Sequence, residues 1–489
     1  MSAQDQVLEK PAGLNNSVFH VLSQFRKPIV VVLAFALGCV IWYVEPSASI
    51  GGKGLHFLAT LSVGVTLWIF EVFDDYIVAL MLLLSWVVLD IVPSKVALSG
   101  FSQGSWFFVV GVLGIGAAVN KTGLLYRLAV HGLSRIPNTS FKIHTLVLLV
   151  SGLLTTPLLP TGKARTASAL PVSQAFVQAS GFKHRSNGSA ALSLAALVGF
   201  SQMSFMFLTG GAFGLIGWNL LPEQSKSEFG WMVWFVSALP AGIFIFLFVF
   251  AAIHYLFPLK TEERARGSDK AMQLQLEKLG PVSNAQWVGL SILVLILAAW
   301  LTKPFHGIGE AWIALSGLLF FLTTGSLDKK SLRNDLDWGL ILFFGIVNSI
   351  AVISIYLKVD LWFMNIVAPI LARFSYGPLG FLEAVVLIVY FTRLFLRKSP
   401  AVMVLTLTLV PFGMNIGIHP GIVLLTISTA TECFILPYQD GPYQIAYSST
   451  NGQAFSHVQA RKILVARFIG TIAAIALSVP YWKMLGFIH

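Results

Sequence analysis

Long apolar runs separated by short polar segments recur from Ile29 to Trp482, and this recurrence limits the fold more than any single motif does. A helix needs about 20 residues to cross roughly 30 Å of hydrocarbon, fewer where interfacial side chains complete its ends. That ruler places eleven crossings at 29–44, 55–70, 76–93, 105–120, 189–220, 228–257, 285–301, 310–325, 338–356, 420–450 and 464–482. Charged residues make up 11% of the chain and mean hydropathy is +0.79. Soluble domains carry about 25% charged residues to hydrate their surface. The chain therefore reads as an all-α polytopic membrane protein, because backbone in hydrocarbon must satisfy its own hydrogen bonds. Soluble-enzyme, secreted, disordered and coiled-coil classes are excluded.

Two further apolar stretches, 143–179 and 381–417, are too long for one helix and are interrupted by charged, small and proline residues. The interruptions are Leu159-Pro160-Thr161-Gly162-Lys163-Ala164-Arg165-Thr166 and Arg397-Lys398-Ser399-Pro400. Each stretch is expected to enter the bilayer and return as a re-entrant hairpin, with the interruption at its tip. With the N-terminus inside, the cytoplasmic segments hold 20 Lys and Arg residues, Arg467 among them, and the opposite side holds seven. This bias follows the positive-inside rule and puts the C-terminus outside. It also accounts for the net charge of +11 without a nucleic-acid partner. Residues 1–25 are polar and lack a signal-peptide core, so they read as a cytoplasmic lead-in.

The pattern repeats. Residues 1–54 hold the N-terminus and first helix. Residues 55–257 read as three spans, an amphipathic helix near 124–136, a hairpin, a broken span and a further span. Residues 285–489 read the same way, with an amphipathic helix near 359–374. Segment 258–284, with a short helix AMQLQLEKL, is the cytoplasmic linker. The two units start on opposite sides and so form inverted repeats, an architecture with its substrate site between the copies. The broken spans carry Thr209-Gly210-Gly211 and Pro437-Tyr438-Gln439-Asp440-Gly441-Pro442. Such breaks persist in a membrane only where protein, water or ligand satisfies the freed backbone. Ser399 before Pro400, and Thr161, are suited to cap helices that start at the tips. Helix starts present free N–H groups and a positive dipole end, so two facing one cavity suit an anion.

At this level the chain resembles the divalent anion/sodium symporter family of di- and tricarboxylate and sulfate transporters. The resemblance rests on GFSQGSWFFVVGVLGIGAAVNKTGLLYRLA (100–129), ASALPV (167–172), LTLVP (407–411) and TECFILPYQDGPYQIAYSS (431–449). It implies an elevator-type transporter working as a homodimer, with the hairpins and broken spans in the moving part. The family's hairpin tips usually carry Ser-Asn-Thr, which binds sodium and substrate carboxylates. Here Thr161-Gly162-Lys163 stands at the first tip, and Ala401-Val402-Met403 or Lys398-Ser399-Pro400 at the second. The family's Thr-Pro-Pro-Asn aligns with Asp440-Gly441-Pro442-Tyr443, and Glu432 stands where a small residue is usual. A cation-coordinating tip is thus exchanged for a cationic one.

A fixed ammonium or guanidinium neutralises an anion as a sodium ion would, and arginine can grip a carboxylate through two hydrogen bonds. The expected substrate site comprises Thr161, Gly162, Lys163, Arg165, Thr209, Gly210, Gly211, Arg397, Lys398, Ser399, Pro400, Asp440, Gly441 and Pro442. Glu432 and Asp440 are expected counter-ions or coupling groups; eight residues apart, they would share one face of an unbroken helix. The structural alternative is that Lys163, Arg165, Arg397 or Lys398 pair with those acids, and Arg393 is expected in an ion pair. Glu383, Asp74 and Asp75 read as interfacial, and Cys39 and Cys433 imply no disulfide. No histidine pair, His144 and His254 included, has metal-ligand spacing. No catalytic constellation or cofactor fingerprint is legible, so neither an enzyme nor a cofactor is expected. The function expected is secondary transport of a small divalent anion, such as a dicarboxylate, across the plasma (inner) membrane without sodium, by exchange or proton coupling, with sodium-coupled symport and an anion channel as the alternatives.

Overall fold

The computed structural model describes residues 16–46, 50–70, 72–124, 127, 141–159, 161–259, 280–359, 361–362, 377–434 and 439–489 of the 489-residue chain. The helix expected in the linker, and most of the segments near 124–136 and 359–374, lie outside these residues. Among the described residues the chain is helical, with one isolated antiparallel bridge between Ile418 and Ile488.

In chain order the principal helices begin with α1 (Asn16–Trp42), α2 (Gly52–Ile69), α3 (Asp75–Val88) and α4 (Gly104–Thr122). There follow α5 (Phe141–Thr155), α6 (Gly162–Ala179), α7 (Asn187–Leu197), α8 (Ala212–Asn219) and α9 (Trp231–Leu256). The second half holds α10 (Asn284–Leu301), α11 (Glu310–Thr323), α12 (Trp338–Tyr356), α13 (Gly377–Arg393) and α14 (Lys398–Asn415). It ends with α15 (Pro420–Thr431), α16 (Gly441–Ser448) and α17 (His457–Met484). Six helices among the described residues are long and apolar enough to cross a bilayer, and five shorter apolar ones run 10–17 residues. Ile243 and Leu247 of α9 and Val294 and Leu295 of α10 face outward, as lipid-facing side chains do, whereas the segment from Gly188 to Met206 is buried.

Packing follows one rule. α2 packs on α3 as α10 packs on α11; α5 packs on α7 as α13 packs on α15; α6 packs on α7 as α14 packs on α15. Contacts between the halves exchange partners: α3 meets α12 while α4 meets α11, and α6 meets α16 while α8 meets α14. The last helix of each half, α9 and α17, meets its own counterpart. The contacts within one half are thus matched by contacts within the other. Small residues permit the close approaches this packing needs: Gly152 of α5 lies directly against the backbone of Gly199 and Phe200, leaving no room for a side chain.

The helix ends correct several expectations. The first broken span loses α-helical geometry at Val198, well before Thr209, passing through a π-turn at Val198–Gln202 and 3₁₀ turns at Ser204–Met206 and Leu208–Gly210. The second breaks at Glu432, directly after α15. At the second tip the cap is Arg397, so Ser399 and Pro400 sit inside the first turn of α14. Proline fits any of the first helical positions, whose N–H groups have no intrahelical acceptor, so it marks the turn without fixing the cap. Thr161 is the cap of α6, but its side chain makes no capping hydrogen bond. Arg467, counted above with the cytoplasmic loops, is buried well inside α17.

Outside the spans, His419 caps α15. Its Nδ1 accepts the Gly421 N–H at 3.1 Å while Nε2 faces Glu228 Oε2 at 3.2 Å. Burial lowers the affinity of this imidazole for a proton below the ordinary value of 6.5, and Glu228 only partly opposes that. The folded chain thus binds fewer protons here than the unfolded chain, so stability should fall as pH drops through 6.5. Melting temperatures of the detergent-purified protein between pH 7.5 and 5.5 test this; His419→Asn keeps a cap without a titrating group and should flatten the dependence.

Candidate functional site

Four interruptions of helical backbone converge. Gly162, at the first tip, lies against the Pro442 ring and Ser201. The Lys163 side chain crosses over Gly441, so the first tip rests on the start of α16. From the other half, Lys398 at the start of α14 reaches both ends of the second break. Its Nζ donates to Glu432 Oε2 at 2.8 Å and lies 2.7 Å from Asp440 Oδ2. It also lies 5.7 Å from the centre of the Phe213 ring on α8. Glu432 and Asp440 are fully buried, and Lys398 keeps 16% of its side chain exposed. The break places the two acids on either side of one ammonium, where an unbroken helix would have set them along a face. Asp440 also caps α16, its Oδ1 accepting the Tyr443 N–H at 2.9 Å.

Arg165 does not face an open cavity. It is completely buried, and its guanidinium is held by oxygens from both sides of the first half's interruptions. Nε donates to Phe200 O at 2.6 Å, and Nη2 to Ser204 Oγ at 2.6 Å. Nη1 donates to Gly210 O at 2.7 Å, to Thr156 O at 3.4 Å and to Leu159 O. The Thr209 hydroxyl is likewise engaged, donating to Pro157 O at 3.2 Å and accepting from Trp231 Nε1 at 3.0 Å. Gly211 is the extended cap of α8.

A related arrangement occurs in the second half. Arg393, at the end of α13, is buried and donates to Leu396 O at 2.7 Å and to Gln439 O at 3.1 Å, while Gln439 Nε2 donates back to Arg393 O. One bond is to the hairpin turn and the other to the broken span, as with Arg165. The third buried arginine, Arg467, donates to Thr471 Oγ1 and, at 3.4 Å, to Gln202 O, with its guanidinium 5.3 Å from the Phe205 ring centre. Arg467 is the buried cation that the loop count placed wrongly. Its position inside the 464–482 apolar run was the available signal, since arginine at that depth needs partners.

The expected site residues are thereby sorted. Thr161, Gly162 and Lys163 of the first tip, Lys398 of the second, and Asp440, Gly441 and Pro442 form one continuous region. Ser399 is half-buried and Pro400 buried beside Lys398, and Arg397 is exposed at the cap of α14. Arg165, Thr209 and Gly210 lie one layer behind: Arg165 donates to Gly210 O, and the Thr209 hydroxyl donates to Pro157 O. Among the described residues Lys163 has no carboxylate within ion-pair distance, and none form a cluster able to hold a metal ion.

Comparison with known proteins places this geometry. The family described as the sodium:sulfate symporter transmembrane region matches residues 26–488. This chain belongs to that family. Relatives in the family include the L-tartrate/succinate antiporter of Escherichia coli, 24% identical with 91% of this chain and 88% of that protein covered. Dicarboxylate transporter 2.1 of Arabidopsis thaliana chloroplasts is 24% identical over 80% of this chain and 70% of its own length. The fold of this family member is also that of the YdaH transporter of Alcanivorax borkumensis, with a TM-score of 0.57 at 14% identity, covering 95% and 98% of the two chains. MtrF of Neisseria gonorrhoeae gives a TM-score of 0.56 at 15% identity, covering 92% and 94%.

Lys398 is the neutralising group for two buried acids, and removing it should leave both without a partner. Lys398→Met should cost about 3–5 kcal/mol of stability. Combining it with Glu432→Gln and Asp440→Asn should restore most of the loss. Melting temperatures of the single and triple variants decide this, and an unchanged single variant would show that the acids are neutralised elsewhere.

Proposed function

We propose that this chain is a secondary transporter that exchanges small divalent anions, dicarboxylates first among them, across the inner membrane without sodium. The observation that carries this is the balance of charge in the buried centre. Among the described residues around the four breaks, three buried arginines, Arg165, Arg393 and Arg467, together with the largely buried Lys398 outnumber the buried carboxylates Glu432 and Asp440 by two. A bound dianion offsets most of the positive charge that these groups and the exposed Lys163 carry. Moving uncompensated charge through hydrocarbon costs several kcal/mol or more per charge, so the loaded site crosses and the empty one stays. Exchange follows, because the site returns only with another anion aboard. The antiporter name of the E. coli relative and the dicarboxylate name of the chloroplast relative agree with this reading.

The substrate lies between the tips, on Lys163, the α6 start at Thr161-Gly162, and the outer faces of Lys398 and Ser399, above Gly441-Pro442. The partner exchange between halves supports inverted repeats at 55–257 and 285–489. An elevator movement has support in the packing as well. Helices α2–α4 and α10–α12 pack chiefly among themselves, as do α5–α9 and α13–α17, with only slight contacts joining the two groups. The N-terminus is cytoplasmic and the C-terminus outside on this reading.

Two measurements test the proposal. In proteoliposomes loaded with succinate, labelled succinate uptake should be unchanged when choline replaces sodium, and should fall to background when the interior holds no anion. Uptake that needs sodium, or that proceeds into empty vesicles, would overturn it. Lys163→Ala removes an exposed charge that has no acid partner among the described residues, so it should weaken anion binding roughly ten- to a hundred-fold by calorimetry, the loss of a charge-assisted contact of about 1.5–3 kcal/mol, without lowering the melting temperature.

A further inference from the structure

Tyr443 connects the centre of the site to a histidine at the start of α17. It follows Gly441-Pro442, the first residues of α16, on which the first tip rests. Its N–H donates to Asp440 Oδ1 at 2.9 Å, and Asp440 Oδ2 lies 2.7 Å from Lys398 Nζ. Its ring is buried, with its centre 5.0 Å from that of Phe434 and 5.8 Å from that of Phe455. Its hydroxyl lies 2.6 Å from Nδ1 of His457, in the first turn of α17. The half-buried imidazole is also stacked on Tyr447, one turn along α16, with ring centres 4.1 Å apart and planes 19° from parallel. Gly452, at a φ of 64°, makes room for this stack, because a Cβ there would run into the Tyr447 ring and hydroxyl. Ser456 and Gln459 cap α17 reciprocally, and Gln459 Nε2 donates to Arg185 O at 2.9 Å, so the backbone that carries His457 is itself held.

We propose, resting on the transporter reading, that His457 is a positioning residue for anion binding: neutral, it accepts the Tyr443 hydroxyl and holds the start of α16 against the first tip, and a proton on Nδ1 releases that hold. Among the described residues His457 is the hydrogen-bond partner of this hydroxyl. A buried O–H needs an acceptor, and a neutral Nδ1 supplies one. Protonated, Nδ1 becomes a donor; the Tyr443 oxygen can then accept, but its own proton loses its place. The titratable and charged groups on the surrounding elements are Tyr443 and Tyr447 of α16, Arg461 and Lys462 of α17, Lys183, His184 and Arg185 between α6 and α7, and His254 near the end of α9. None of these is a carboxylate, and the charge of Arg461 already acts on Tyr443, so a proton on the ring joins an existing positive charge. Histidine changes charge between about pH 5 and 8, so the hold is set by pH over that range. Its release reaches the anion by a short route. Tyr443 adjoins Pro442, the Pro442 ring lies against Gly162, and the Lys163 side chain crosses over Gly441.

The test measures labelled succinate exchange in proteoliposomes held at pH 8, 7 and 6 on both sides, for the wild type, His457→Gln and Tyr443→Phe, with KM and kcat separated. For the wild type, KM should rise several-fold from pH 8 to pH 6 while kcat changes less. His457→Gln offers the hydroxyl a side-chain oxygen that does not titrate, so its KM should stay closer to the wild-type value of pH 8 throughout. Titration of the anion and of every other histidine is common to both proteins, and the difference between them therefore isolates His457. Tyr443→Phe keeps the ring but has no hydroxyl to be held, so its KM should already be raised several-fold at pH 8 and should follow pH no more steeply than that of His457→Gln. Melting temperatures are recorded for each variant at each pH. Should Tyr443→Phe fail to fold, the comparison of wild type with His457→Gln still decides. Coincident KM profiles for those two would overturn the proposal, as would a difference confined to melting temperature, which would make the contact structural only. If the wild type exchanges no anion at any pH, the transporter reading falls and this proposal with it; if exchange is intact and the profiles coincide, this proposal alone falls.

Discussion

Every interruption of a helix inside a membrane releases carbonyl oxygens that have no water to turn to, and in this chain buried guanidinium groups take them. Hydrocarbon makes an unsatisfied carbonyl expensive and an unpaired cation more so, so each is the other's remedy. Arg165 binds carbonyls on both sides of the first half's breaks, Arg393 does so in the second half, and Arg467 reaches the end of the π-turn from α17. Arginine suits this role better than lysine because its planar fork offers five donors in fixed directions. Lysine instead occupies the two places where a compact charge is wanted, against Gly441 and between Glu432 and Asp440.

The acid pair gives the second break its shape. One acid ends α15 and the other starts α16, so Lys398 spans the gap and ties the two half-helices to the opposite hairpin tip. A buried ion pair is a poor source of stability compared with apolar packing, but it tolerates few alternative arrangements. Here it fixes α14, α15 and α16 to a common point. In the first half the fixing is done by neutral carbonyls around Arg165, whereas the second half has both the acid pair and the carbonyls around Arg393.

The all-helical, membrane-spanning character was legible because it depends on hydropathy alone: the apolar helices and the two interrupted stretches follow from where apolar residues stop. What was not legible was which partner each charge would find. Glu432 and Asp440 would share a face only of an unbroken helix, and the three-dimensional course of the break sets both of them around Lys398. Arg165, two residues after Lys163, looked equally able to meet substrate, yet its orientation in the first turn of α6 sends it backward to Phe200 and Gly210. The early onset of irregular backbone at Val198 has no glycine-proline signature beyond Gly199; Gly152 across the interface, distant in sequence, shapes it. Position inside an apolar run was a sounder guide than loop counting for Arg467.

A charge that belongs to the polypeptide has no concentration. An ion drawn from solution is present in proportion to its abundance outside, leaves when that abundance drops, and carries the energy of its gradient into each cycle. Arg165, clasped by five oxygens, does none of these things. On the proposed reading the protein would work equally in salty and salt-poor surroundings, and would give up any power to concentrate its cargo against a gradient of sodium. The ratio of anions it maintains would then be set by the other anion it returns, which makes the supply of that second anion inside the cell the true fuel of the cycle.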